Sequence, residues 1–254
     1  MKKLGLSLVV LFPLLILVGC NLTMIQNEQE YSIDATEVQR FVMDLDEGEI
    51  EIYGEDRTDI KVIATFASRG EEADLTEQFQ VDNMSVSLEQ VEDEAQLITN
   101  IYRGNQSPIE ARIHIKAYVP RDLEVIMDHD GGNLGIRELS NSLVINQGAG
   151  KIEIENTNGN ITITDGTGAI NLMNNDGDIS INNNSGAVAI VNHTGDLKLI
   201  SGSGEINVEE ITGNLQVRSG SGSIYIDQVN GDVSILENRS GKVEITNVSG
   251  TITQ

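Results

Sequence analysis

From Gly132 to the last residue, apolar and polar positions recur in units of nine. Glycine opens nearly every unit, at 132, 150, 159, 168, 177 and onward to 250. Asn141 is the exception, and one interval, Gly231 to Gly241, is ten residues long. An aliphatic side chain stands two positions after each opening residue, from Leu134, Leu143 and Ile152 to Ile252. A second stands four positions after it, from Ile136, Ile145 and Ile154 to Ile245, and only Gln254 breaks that series. Such alternation over a few residues predicts a strand with one buried face. Its β-branched content suits a pleated, half-buried surface. The glycine relieves a bend that needs positive φ or close backbone approach. Asn, Asp, Ser and Thr fill the rest of the bend and hydrogen-bond locally. A strand this short cannot bury its own face, but stacked copies can, which predicts a β-solenoid.

The coil of that solenoid is two units, or eighteen residues. Glycine pairs 148/150, 166/168, 202/204 and 220/222 recur at multiples of eighteen, and Ile211, Val229 and Val248 recur near eighteen. Alternate strands are therefore expected to stack on the same sheet. Fourteen units make about seven coils, a stack on the order of 34 Å long at ~4.8 Å per rung. Residues 31–130 keep the alternation and lose the period. Phe41–Leu45 and Glu49–Tyr53, joined through Asp46-Glu47-Gly48, read as a hairpin. Further strands are expected over 59–66, 81–91, 95–102 and 111–119, with Pro120 ending the last, and a helical turn over 70–79. Leu123–Met127 leads into the repeats. This region holds all of the phenylalanines and all but one of the tyrosines after residue 20, so it reads as an N-terminal β region capping the solenoid of 131–254. A cap is expected because an open stack exposes a templating edge.

The first residues read as an address. Lys2 and Lys3 precede an apolar stretch, Leu4–Val18, too short for a membrane-spanning helix of about 20 residues. Leu17-Val18-Gly19-Cys20 resembles the lipobox of bacterial lipoproteins, and Cys20 is the one cysteine in the chain. The resemblance implies a signal peptide over 1–19, cleavage before Cys20, diacylglycerol on its sulfur and acylation of the new amine. An ordinary secretory signal is the alternative. Two or three acyl chains, at about 0.8 kcal/mol per buried CH₂, anchor a protein to a membrane. Residues 20–30 show no periodicity and read as a tether from the lipidated Cys20.

Charge and chemistry then narrow the function. Sixteen Lys+Arg against 40 Asp+Glu give a net charge of −24, which argues against nucleic acid, whose binders neutralise phosphates with cations. Removing residues 1–19 takes two lysines and no acid, leaving −26. Of the acids, 26 lie in 21–130 and 14 in 131–254. Clusters such as Glu92-Asp93-Glu94 and Asp44-Asp46-Glu47-Glu49-Glu51 read as solvated turns and edges that keep a β protein soluble. A lone cysteine permits neither an internal disulfide nor a cysteine zinc site. The three histidines, His114, His129 and His193, lie far apart. Calcium-binding nonapeptide rolls use Gly-Gly-x-Gly-x-Asp. Here Gly-Gly occurs once, and Asp follows Gly only at Asp178, Asp196 and Asp232, with Asn160 and Asn214 in the same register. No cofactor, metal or catalytic residue is expected. The outward strand positions (Thr162, Ser180, Lys198, Gln216 and Glu153, Asn171, Ala189, Asn207, Tyr225) are small and mixed. Tyr225, the only aromatic after residue 130, reads as a lone surface tyrosine.

With acidic strands first, the Val119-Pro120 joint, and serial units such as Gly159-Asn160-Ile161-Thr162-Ile163 and Gly204-Glu205-Ile206-Asn207-Val208, roughly residues 35–254 resemble the bacterial family called "putative adhesin" or DUF4097. The resemblance implies an all-β, right-handed β-solenoid at the cell envelope, and it carries over no site residues. Some relatives look to be associated with envelope-stress systems. The expected function is a lipid-anchored, non-catalytic, adhesin-like interaction scaffold on the exported face of a bacterial membrane. Its partner would be an envelope or surface protein or a glycan. An accessory role in envelope stress or signalling is the alternative. A polysaccharide-active β-helix enzyme is disfavoured, since no Ser/His/Asp or Glu/His constellation follows from the spacing.

Overall fold

The computed structural model describes residues 17–19, 22–104, 108 and 110–254. Cys20 lies outside the described residues, as does the signal-peptide reading over 1–19 apart from a short strand, β1 (Leu17–Gly19).

The nine-residue units form strands that alternate between two facing parallel stacks, from β10 (Leu134–Arg137) to β23 (Ile252–Thr253). Strands eighteen residues apart pair in register. Ile161 lies beside Ile179 and then Leu197, and on the opposite sheet Ile170 lies beside Val188 and then Ile206. The whole fold consists of a first sheet of 12 strands and a second of 11. From Leu134 to Ile235 both aliphatic positions of each unit point between the sheets and join one continuous core, with Val243 and Ile245 partly buried at its end and Ile252 exposed. Glycine at the corners is a matter of space. At Gly186, φ is +133°, and a Cβ there would overlap the carbonyl oxygen of Gly168 on the rung below. Asn141 escapes because its rung meets the non-repetitive region, where its side-chain amide donates to the Asp122 carbonyl at 2.8 Å. The ten-residue interval is absorbed by a bulge: Val217 pairs with Ile235 and Arg218 with Glu237, leaving Leu236 looped out and 49% exposed.

Two local expectations are corrected. The stretch 20–30, read as a tether, is strand from Leu22 onward: β2 (Leu22–Asp34) pairs antiparallel with β5 (Asp59–Gly70). It lacks alternation because the backbone ladder holds it, and only Ile25 and Tyr31 enter the core. The hairpin over 41–53 does not form either. β3 (Arg40–Leu45) lies in the second sheet, parallel to β7 (Glu94–Ile101) and β9 (Glu124–His129). β4 (Ile50–Glu55) lies in the first sheet, parallel to β8 (Glu110–Pro120) and β10. The bend at 46–48 is thus a solenoid corner. Phe41-x-Met43 and Ile50-x-Ile52 stand nine residues apart, and Gly48 lies under Gly132 as one corner glycine lies under the next. A coil of the repeat precedes the continuous series, separated from it by an insertion.

That insertion closes one end of the stack. In the first sheet β8 pairs antiparallel with β5, and in the second β7 pairs antiparallel with β6 (Met84–Val91). The expected helical turn is a full helix, α1 (Ala73–Asn83), packed against β2, β5 and β6. Its buried Gln80 stitches the cap: Nε2 donates to the carbonyls of Ile25 (2.9 Å) and Phe66 (3.2 Å) and to Ser68 Oγ (2.8 Å). Phe41, Ile25 and Met43 are among the largest fully buried side chains, all in this half.

Candidate functional surface

The most regular surface runs along the corners that enter the second sheet. The residue after each corner glycine there is Asn160, Asp178, Asp196, Asn214 or Asp232. Each side-chain Oδ1 accepts the backbone N–H of the equivalent residue one rung on: Asn160 from Asp178 at 3.0 Å, Asp178 from Asp196 at 3.0 Å, Asp196 from Asn214 at 2.8 Å, Asn214 from Asp232 at 3.1 Å. Asp232 closes the ladder by accepting from Thr251 N–H at 2.7 Å. These side chains stand in for water at backbone donors that a corner leaves unpaired. Beside the ladder lie the outward strand positions Thr162, Ser180, Lys198 and Gln216, stacked rung on rung. Ladder and strand positions together line an open trough of about 330 Å³.

Asp178 and Asp196 sit on neighbouring rungs, as the spacing predicts, but each spends an oxygen on the backbone ladder. Among the described residues no three His, Cys, Asp or Glu side chains are grouped to hold a metal ion. Much of the acidic clusters is engaged too. Arg40 bridges Asp93 at 3.3 Å and Glu94 at 3.1 Å, Arg103 pairs with Glu47 at 3.0 Å, and Lys116 with Glu51 at 3.4 Å. Asp46 Oδ2 accepts the Ile101 N–H, and the Asp46 N–H donates to Thr99 Oγ1 at 2.8 Å. Burial raises its pKa, helped by Asp130 and Asp44 and opposed by the Ile101 N–H and Arg103.

The histidines are not brought together. His114 lies on the outer face of the first sheet. His129 and His193 sit inside the stack, and burial lowers the pKa of all three. His129 begins a buried polar column the sequence reading missed. One residue per rung of the second sheet points inward in register: His129, Gln147, Asp165, Asn183, Ser201, Ser219. Its signal was there, a polar residue every eighteen, two positions after the second inward apolar residue of each strand. A second overlooked column is Asn156, Asn174 and Asn192, which adopt φ of +54°, +57° and +53°. They chain amide to amide at 3.1 and 2.8 Å. Asn tolerates the left-handed region where most residues do not.

A third feature had no sequence signal. β4 and β8 pair in register, which sets Tyr53 opposite Tyr118 across 65 residues of chain. The rings stack with centroids 5.6 Å apart and planes at 23°. Arg137 lies 5.9 Å from the Tyr53 centroid and Arg57 5.9 Å from that of Tyr118, while Lys116 lies 5.2 Å from Tyr53. Cations and rings cover one another's faces, so this is a packed ladder rather than a bare aromatic platform. On the repeat half, Tyr225 faces outward with Lys242 at 6.0 Å.

Residues 38–254 match the family model described as Toastrack DUF4097. The chain belongs to the Toastrack family. The match begins before β3, so the first coil and the insertion that follows it lie within the matched residues, whereas β2 precedes them. Among solved structures, the Toastrack chain is similar to one described as a putative adhesin from Bacteroides fragilis (12% identity, covering 89% of this chain and 96% of that one, TM-score 0.41). It is also similar to one described as a putative cell adhesion protein from Clostridium sporogenes (14%, 90% and 98%, 0.32). A third is described as a putative lipid binding protein from Parabacteroides distasonis (12%, 89% and 96%, 0.35). No curated protein matches the chain.

Proposed function

We propose that this Toastrack protein is a lipid-anchored protein of the bacterial envelope that acts as a non-catalytic, adhesin-like scaffold. The observation that carries the reading is the trough beside the Asx ladder, where the same polar groups return on every rung. Such a surface suits a long partner, a glycan chain or an extended protein segment, touched weakly at several rungs at once. Linked weak contacts multiply into avidity without one deep pocket. The lining offers amides, hydroxyls and carboxylates with a single lysine, Lys198, which fits hydrogen-bonded recognition and not phosphate neutralisation. The dispersal of the three histidines and the engagement of the acidic clusters in ion pairs support a scaffold over an enzyme. Anchoring rests on Leu17-Val18-Gly19-Cys20 and the placement there of the sole cysteine.

Two measurements on intact cells test this. Cys20→Ser should move the protein from the membrane to the soluble fraction, and continued membrane retention overturns the anchor. Cross-linking followed by pull-down should capture a partner that is lost when Ser180→Arg and Gln216→Arg block the trough. Undiminished capture by that double variant overturns the trough as the contact surface.

A further inference from the structure

A small cavity of about 260 Å³ opens on the outer face of the first sheet, at the end where β2 begins. Ala67 and Ser68 on β5 line it together with Met24, Glu49, Arg69, Glu110, Arg112 and His114. Sheet register assembles it: Ala67 lies opposite Arg112, and Arg69 lies between Met24 on β2 and Glu110 on β8. Three donors converge there. Arg112 pairs through Nε with Glu110 at 2.8 Å, and among the described residues the outer edge of its guanidinium makes no further hydrogen bond. Arg69 makes no ion pair among the described residues, in a chain where acids outnumber bases 40 to 16. His114 Nδ1 accepts the Glu49 N–H at 3.0 Å, which puts the ring proton on Nε2, free to donate. Guanidinium pairs of this kind recognise phosphate oxygens. Two carboxylates, Glu49 and Glu110, stand in the same wall, so the lining is charge-balanced. A bare anion would meet repulsion from them. A ligand carrying both an anion and an ammonium would meet complementary groups for each charge.

We infer that this cavity binds a small zwitterion bearing a phosphate and a primary ammonium, the chemistry of a phosphoethanolamine group. The phosphate faces Arg69, Arg112 and His114, and the ammonium N–H donors face Glu49 and Glu110. The volume lies below the roughly 300–1,000 Å³ of drug-sized pockets and suits a headgroup. Position points to the membrane as the source. Met24 is four residues from Cys20, a span of at most about 14 Å, so an acylated Cys20 would hold the cavity close to the headgroup layer. This placement rests on the anchoring reading above; the cavity chemistry does not.

The purified full chain is titrated calorimetrically with O-phosphoethanolamine, inorganic phosphate and ethanolamine. Phosphoethanolamine should bind saturably and at least roughly tenfold more tightly than either half, a difference of about 1.4 kcal/mol. Arg69→Gln and Glu110→Gln should each weaken it by a similar factor while circular dichroism and melting stay unchanged. Equal affinity for inorganic phosphate overturns the zwitterion, and undiminished binding by both variants overturns the site. Vesicles then separate the sources. Preference for phosphatidylethanolamine over phosphatidylcholine, lost in Arg69→Gln, assigns the site to a lipid headgroup, whereas binding of the soluble probe without that preference assigns it to a free phospho-ammonium compound. Fractionation of Cys20→Ser reports on the anchor separately, so the two readings fail independently.

Discussion

Asp165 is 2% exposed, between Gln147 and Asn183 on adjoining rungs, and neither carboxylate oxygen makes a hydrogen bond of normal geometry. Burial pushes its carboxyl up to about 6, with the Gly166 N–H offsetting part of the effect. The folded state therefore holds this proton more tightly than the unfolded chain, whose Asp titrates near 3.9. Stability from this group is fully present below about pH 4 and is lost as pH rises through about 6. The loss is on the order of 2–3 kcal/mol at neutral pH, since one pKa unit corresponds to about 1.4 kcal/mol. Asp165→Asn should thus be more stable than the parent at pH 8 by about that amount and equal to it near pH 4. Urea unfolding at both values checks this, and an unchanged difference across pH rejects the assignment. The buried histidines act in the opposite sense: their folded pKa values are lowered, so their contribution is present above about 6.5 and falls away on acidification. A corner glycine sets the other residue-scale limit. Gly186→Ala places a Cβ at positive φ against the carbonyl of Gly168, and should cost several kcal/mol in the same assay.

At the scale of the strand, inward and outward positions one residue apart should differ sharply. Ile206 is 0% exposed, whereas Asn207 faces out and bonds Glu209 at 2.8 Å. Ile206→Asn buries an amide without a partner and should cost roughly 2–5 kcal/mol, while Asn207→Ser should stay within about 0.5 kcal/mol. Equal losses on thermal melting would refute the burial pattern. Deleting Leu236 should be tolerated, because it removes the looped-out residue and restores the nine-residue interval. Loss of the cooperative melt would show that the bulge is structural. These strands were legible because each repeat states its own buried face, and the eighteen-residue glycine pairs state which strands stack. The 41–53 segment was not. Two alternating runs joined through Asp-Glu-Gly satisfy a hairpin and a solenoid corner equally well at the local level. Parallel pairing partners 54 residues or more away, such as Gln96 beside Val42, decide between them.

At the scale of the molecule, closure and charge matter most. The insertion between the first coil and the continuous repeats supplies antiparallel strands and a helix, which end the stack on one side without leaving a long parallel edge. The acidic surface is dispersed into ion pairs and backbone ladders, so calcium should leave the melting temperature unchanged. A rise of many degrees would reveal a site by mass action. The sequence by itself determined the period, the inward and outward faces, the eighteen-residue coil and the glycine corners, because each depends on local alternation and on what a backbone corner can hold. It also carried the Leu17-Val18-Gly19-Cys20 motif on which the proposed anchor rests. Only the tertiary structure decided that residues 22–34 are strand, that Tyr53 stacks on Tyr118, that Asp165 is buried without a hydrogen bond of normal geometry, and that Arg69, Arg112 and His114 meet around Ala67. Each of those arises from register between segments distant in sequence. Register is set by the burial available on both neighbours at once, and no single segment records it.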